Sequence, residues 1–239
     1  MEAMRLFAAL FPPEEIVQDL LSFREKMLSS YSPPPIHEEN RIGPDGSLRR
    51  PSSAWRSSPR PQLHITLQFI GDLITVHQAS QIKEALRAAA TGGQEEKEAL
   101  QPPAPHGQNE NEASRPSDSP LNIIRPFSIE CVGVGAFPSP SRASVIWAGV
   151  RGEGLERLAG AIGASLAPIG FPPDRPFHSH ITLLRSKFAQ DARALIAPFE
   201  NARWSARPWR ADSFSLMDSR EVLGGHEHEE LARYPLKQD

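Results

Sequence analysis

Apolar positions along this chain recur in two periods. In Arg5–Phe11 (RLFAALF), LHITLQFIG around residue 65 and HITLL around residue 182, short apolar stretches have the length and branching of strands. Phe127–Val134, Val145–Val150, the region from Trp209 to Met217 and that from Leu231 to Leu236 have the same character. A helical spacing governs the rest. Ile16, Leu20, Phe23 and Met27 predict a helix from Glu14 to about Leu28. It opens after Pro12-Pro13, where Glu14 and Glu15 suit the positive end of the helix dipole. Ile82, Ala85, Leu86 and Ala89 predict a second helix over Gln78–Ala90. Leu155, Leu158, Ala159, Ile162 and Leu166 predict a third, and a fourth is expected from Ala189 to Phe199.

The order is strand, helix, strand, helix, and then strand, strand, helix, strand, helix, strand, strand. This is an imperfect duplication, and hairpin-connected strands with helices to one side predict an α+β fold. Two stretches interrupt it. Residues 30–61 are polar and punctuated by Pro33-Pro34-Pro35, Gly43-Pro44, Gly46, Pro51 and Pro59. Residues 91–120 carry almost no large apolar side chains and cannot offset their own ordering entropy. Both are expected to be flexible insertions in one domain spanning 1–239.

Composition narrows the picture. A hydrophobic share of 39% over 239 residues suits a globular chain, and a net charge of −3 excludes whole-molecule polycation binding to nucleic acid while leaving room for a local basic site. The one cysteine, Cys131, has no intramolecular partner and is expected in the core. The apolar run before Pro12-Pro13 is too short for a signal-peptide core, and no segment approaches a membrane span. The chain is therefore expected to be cytoplasmic, with no membrane association.

The chemistry lies in a repeated tetrapeptide, His64-Ile65-Thr66-Leu67 and His180-Ile181-Thr182-Leu183. Side chains alternate faces along a strand, so each copy turns His and Thr one way and branched hydrocarbons the other. Two such strands facing each other put two imidazoles and two hydroxyls around one cavity. That set can take a proton, give a proton and hold an anion. It contains no evident nucleophile and no evident metal cage.

With one His-x-Thr-Leu in each half, the chain resembles the 2H phosphoesterase superfamily, and within it the RNA 2′,3′-cyclic phosphodiesterases, also called the 2′–5′ RNA ligase family. RLFAALFPPEE resembles that family's opening strand, LHITLQFIGD and RPFHSHITLLR its two motifs, GAFPSPSRASVIWAGV the hairpin between them and ELARYPL its closing strand. Gln68 departs from the pattern, standing where the family often has a basic residue. The resemblance implies two pseudo-symmetric lobes, each an antiparallel sheet with helices, around a central cleft with one motif per lobe. It also implies hydrolysis of an RNA or nucleotide 2′,3′-cyclic phosphate, tRNA fragments among them, to a 2′-phosphate by a monomer without metal or cofactor, and ligation in the reverse direction. In the hydrolytic direction it makes His64 the general acid and His180 the general base, with Thr66 and Thr182 donating to the phosphoryl oxygens. Arg185 is carried over as a phosphate contact and Phe7 as a base-stacking ring. Strict alternation would turn Arg185 away from His180, so a bulge or strand end is required between them.

Other readings remain open on the residues themselves. A nucleotide- or RNA-binding module could keep the cleft with little catalysis. His178 and His180 form an HxH capable of binding metal, although the first motif has no second histidine beside it. His226-Glu227-His228-Glu229-Glu230 also suggests metal, but it follows Gly224-Gly225 and is expected to be a solvated turn. Arg49, Arg50, Arg56 and Arg60 could grip RNA phosphates near the site, although a solvated loop is expected.

Overall fold

A computed structural model describes residues 3–31, 55–91, 124–205, 207–223 and 225–237. The elements in chain order are β1 (Met4–Leu10), α1 (Glu14–Ser29), β2 (Arg56–Ser57), β3 (Ile65–Ile74), α2 (Val76–Thr91), β4 (Phe127–Phe137), β5 (Ala143–Arg151), α3 (Glu153–Leu166), β6 (His180–Gln190), α4 (Arg193–Ile196), β7 (Trp209–Ala211), β8 (Ser213–Val222) and β9 (Gly225–Pro235). The fold is α+β, as expected.

All strand pairs are antiparallel, in the order β7-β4-β5-β6-β3-β1-β8-β9, with β2 beside β6. At the centre β3 and β6 share one ladder pair, Ile65 with Ile181. Beyond it the strands part, and the sheet falls into two lobes hinged at the two HITL segments, one of four strands and one, with β2, of five. Asp212 alone separates β7, at one end of the order, from β8, near the other. Consecutive Cα atoms are ~3.8 Å apart, so the sheet has to curl until its ends approach.

The lobes do not coincide with the halves of the sequence. β8 and β9, from the C-terminus, complete the lobe of β1 and β3. Helices cross as well: Phe23 of α1 packs edge-on against Phe199 at 5.4 Å, and α3 lies against α2 and β3. Ile65, Ile181, Leu183, Leu155, Leu158 and Ile162 are all at or near zero exposure in one contiguous core. Each such side chain contributes roughly 1.5–3 kcal/mol by leaving water. A second, small cluster of Phe7, Ala9 and Met217, with Phe69 against it, lies on the other face of the first lobe. β1 thus feeds both: Leu6, Ala8 and Leu10 point into the main core, Phe7 and Ala9 into the small cluster.

Four expectations change. The loop expected over 30–61 does not extend to its end. Trp55 is buried, β2 pairs with β6, and the Ser58 N–H donates to the Leu183 carbonyl at 2.8 Å. Residues 32–54 and 92–123, including Arg49 and Arg50, lie outside the described residues. The helix expected over Ala189–Phe199 is only Arg193–Ile196 with a 3-10 turn, because β6 runs on to pair Gln190 with Ala143. Pro198 then removes an N–H that a longer α-helix would use. Trp209–Met217 is two strands on opposite lobes, β7 and β8. Finally, His226–Glu230 is not a turn: all five residues lie in β9, paired with Met217–Glu221. Cys131 is in the core as expected, and burial pushes its thiol up to about 12.

Candidate active site

The alternation predicted for both motifs is present. Ile65 and Leu67, and likewise Ile181 and Leu183, are buried, while His64, Thr66, His180 and Thr182 keep partial access to solvent. The Ile65–Ile181 pair sets an antiparallel register that puts His64 on the row of Thr182 and Thr66 on the row of His180. Both histidines then lie beside the point where the strands part, near enough for the charge of His180 to be one cause of the lowered pKa of His64.

The bulge demanded by Arg185 exists. The β5–β6 register slips between Ile146–Leu184 and Trp147–Thr182, so Leu183 and Leu184 both point into the core. Alternation restarts there, and Arg185 returns to the face of Thr182. The first motif has the same device. The β1–β3 register slips between Ala8–Gln68 and Ala9–Thr66, and both Leu67 and Gln68 are buried. Gln68 therefore turns away from the cleft and donates to the Phe171 carbonyl at 2.9 Å. The departure at position 68 lies behind the sheet, and Phe69 takes the place that Arg185 has in the other lobe.

Charge and burial act together here. Arg185 retains solvent access, yet it sits in a concave surface whose walls desolvate the guanidinium and lower its pKa. Its charge is one cause of the depressed pKa of His64, His180 and His228. Arg56 pairs directly with Arg185 across β2 and β6, so both side chains leave the same face of the sheet. Arg60 is ion-paired with Glu14 instead.

The His180 Nδ1–H donates to its neighbour, the His178 carbonyl oxygen, at 2.7 Å. A carbonyl can only accept, so this bond assigns the proton to Nδ1 and leaves Nε2 with a lone pair. Burial lowers the pKa of this ring, the hydrogen bond to the His178 carbonyl opposes that, and the charges of His178, Arg185 and Arg175 lower it again. His64 is lowered further, to about 3, first by burial among its neighbours and then by His228, Arg185 and His180.

Each imidazole stands among aromatic rings. Phe137 lies edge-on to His180 at 5.0 Å, and Trp147 is tilted against it at 6.2 Å. The Trp147 ring lies so close over β4 that a Cβ at Gly135 would come within 2.2 Å of it. Around His64 stand Phe7, stacked at 5.0 Å, and Phe11 at 5.5 Å. Phe7, expected as a base-stacking ring, is instead 5% exposed beneath His64, because the small core of the first lobe claims it. Phe11, 38% exposed, offers the open ring. His228 of β9, which the turn reading had set aside, completes the cluster at 5.4 Å from His64. Its own segment carries no apolar alternation, and only the pairing of β9 with β8 places it here.

A cavity of about 450 Å³ opens beside the second lobe, lined by Trp147, His178, Ser179 and the start of α3, with none of the four motif residues in its wall. Among the described residues no group of three or more His, Cys, Asp or Glu converges as metal ligands, the His178–His180 pair included. None of the described helices is long and apolar enough to cross a membrane.

A curled antiparallel sheet with a His-x-Thr on each side of its central junction is the architecture of the 2H phosphoesterases. A family model described as the 2′-5′ RNA ligase superfamily matches residues 44–222, and the chain belongs to that family. Among characterised relatives, it is 37% identical over 98 residues to an RNA 2′,3′-cyclic phosphodiesterase of Archaeoglobus fulgidus, covering 41% of this chain and 51% of that one. A similar match to the Aeropyrum pernix protein of that name covers 42% of its length, so these alignments span about half of the relatives or less. The Thermus thermophilus RNA 2′,3′-cyclic phosphodiesterase is 25% identical over 98% of this chain and 91% of its own. Escherichia coli LigT complexed with 3′-AMP superposes with a TM-score of 0.62 at 22% identity, covering 99% of this chain and 100% of LigT, which shows the shared fold.

Proposed function

We propose that this protein hydrolyses the 2′,3′-cyclic phosphate end of an RNA or nucleotide to a 2′-phosphate by proton transfer between two histidines. The observation that carries this reading is the hydrogen bond from His180 Nδ1 to the His178 carbonyl, which leaves Nε2 as the acceptor of a ring whose strand pairs with that of His64 at Ile65–Ile181. In the reaction His180 takes a proton from water as its oxygen forms a bond to phosphorus. The bond from phosphorus to the 3′ oxygen breaks, and His64 protonates that oxygen. Thr66 and Thr182 donate to the non-bridging oxygens as charge grows there, and Arg185 neutralises it.

His64 has to carry a proton for this role, and in the free protein its surroundings keep the proton off. An anionic phosphate beside the ring reverses the balance, since an opposite charge a few ångströms away favours the imidazolium. The proton thus enters with the substrate. When the 5′-hydroxyl of a second strand replaces water, His180 takes its proton, the 3′ oxygen leaves protonated by His64, and a 2′–5′ linkage forms instead. Phe7 serves by holding the His64 ring. The protein works as a monomer, with Arg56 and Arg185 meeting the phosphates of RNA.

The test is incubation with a cyclic-phosphate-ended oligonucleotide in EDTA, with the product isomer identified by phosphorus NMR. A 2′-phosphate is expected, and it should not form with His180→Gln. Tight binding without turnover would favour the binding-module reading. Activity abolished by EDTA and restored by zinc or manganese would overturn the two-histidine mechanism.

A further inference from the structure

Both motif histidines have a second imidazole beside them, by different routes. For His180 it is His178, its near neighbour in sequence, with ring centroids 5.7 Å apart. For His64 it is His228, brought from the far end of the chain by β9, at 5.4 Å and nearly perpendicular. Phe7 touches both rings, stacked on His64 at 5.0 Å and edge-on to His228 at 5.0 Å. β9 is anchored at this place: the Gln62 side-chain N–H, two residues before His64, donates to the His226 carbonyl at 2.7 Å.

The Nδ1 atoms of His64 and His228 are both buried, and neither has a hydrogen-bond partner. Buried polar atoms are rarely left unpaired. The groups that act on the two rings are His180 and Arg185 of β6, Arg5 of β1 and His226 of β9, together with the backbone at Glu227. All of these side chains are basic, and of the two carboxylates on this face Glu230 is held by Ser215 and Arg233 while Glu221 stands opposite His226, so an anion in the cleft is the counter-charge open to a proton on either ring.

We propose that His228 is a positioning residue for His64: with Phe7 it clamps the imidazole, and it makes proton uptake at His64 depend on an anion in the cleft. This rests on the phosphodiesterase reading above. The depressed pKa of His64, with His228 as its second cause after burial, agrees with it. His228 touches no reacting atom in this account. It acts through His64 and leaves His180 as it is.

The test uses the full chain with His228→Phe, which keeps a ring against Phe7 but cannot titrate, and His228→Ala, which removes the clamp. The His64 ring proton is followed by NMR against pH, with and without inorganic phosphate as the probe. Without phosphate, the His64 midpoint should rise in His228→Phe by up to about one pH unit, a tenfold change in proton affinity. Phosphate should raise it in the wild type and raise it less in the variant. On a cyclic nucleotide, His228→Ala should lose about tenfold or more in kcat with KM little changed, and His228→Phe should recover much of the loss while its pH profile moves upward. Unchanged His64 midpoints and phosphate response in His228→Phe would overturn the coupling whether or not the wild type turns over cyclic phosphate. Absence of turnover in the wild type would overturn the functional reading, and the titration would still decide the coupling.

Discussion

Three histidines with lowered pKa share one cleft, which should make this protein sensitive to acid in a way that can be assigned to a single ring. His64 has an ordinary value of 6.5 and is pushed to about 3 in the fold, chiefly by burial. The unfolded chain therefore takes up this proton at a higher pH than the folded one. The neutral form's contribution is complete above pH 6.5 and is lost as pH falls toward 3. Between pH 7.5 and pH 5 the loss from His64 alone is about 2 kcal/mol, at ~1.36 kcal/mol per pH unit below the unfolded value. Solvent at part of the ring reduces this toward about 1 kcal/mol. With a urea m-value of about 2–3 kcal/mol/M for a chain of this size, the midpoint should move by ~0.3–1 M. The assay is urea unfolding at both pH values, in phosphate-free buffer, for wild type and His64→Phe. The variant keeps a ring against Phe7 and should lose less stability on acidification by that amount. An equal shift in both proteins would show that His64 is not held neutral and would remove the reason for supposing that its proton enters with the substrate.

Other outcomes follow from particular contacts. His64→Ala and His180→Ala should each lower turnover of a cyclic-phosphate substrate by about 10²–10⁴-fold, as for removal of a general acid or base. Far-UV dichroism should be unchanged, since both rings keep partial access to solvent. Gly135→Ala would place a methyl 2.2 Å from the Trp147 ring, so thermal stability and Trp fluorescence should both change, and activity with them, because Trp147 flanks His180. Arg185→Gln should raise KM for an oligonucleotide and make that KM less sensitive to salt, and Arg56→Gln should do the same more weakly; equal KM values across 50–300 mM salt for wild type and variants would refute a phosphate contact.

What could be read along the chain was local. The periods of two and 3.6 located β1, β3, the three long helices and the hairpin of β4 and β5, because alternation is a property of neighbouring residues. The duplicated HITL put His and Thr on one face and Ile and Leu on the other for the same reason. Even the bulge before Arg185 could be required in advance, since alternation without it turns the side chain the wrong way. The reading failed where a strand's partner mattered more than its own pattern. β6 absorbs Phe188 and Ala189 because Gln190 finds Ala143, and β7 and β8 separate at Asp212 because each has a different neighbour.

The motif residues were legible and their surroundings were not. Which nitrogen of His180 keeps a lone pair depends on where the His178 carbonyl points. That Phe7 is a support for His64 and Phe11 the open ring depends on which of them the small core of the first lobe claims. His228 could not be placed beside His64 from its position in HEHEE, because β9 reaches the first lobe only through β8 and β1. The sequence by itself determined the residues able to move protons and the face each would take, since both follow from side-chain chemistry and strand geometry. Tertiary structure alone decided their protonation, their partners and which rings meet solvent, because desolvation and contact are set by groups far apart in the chain.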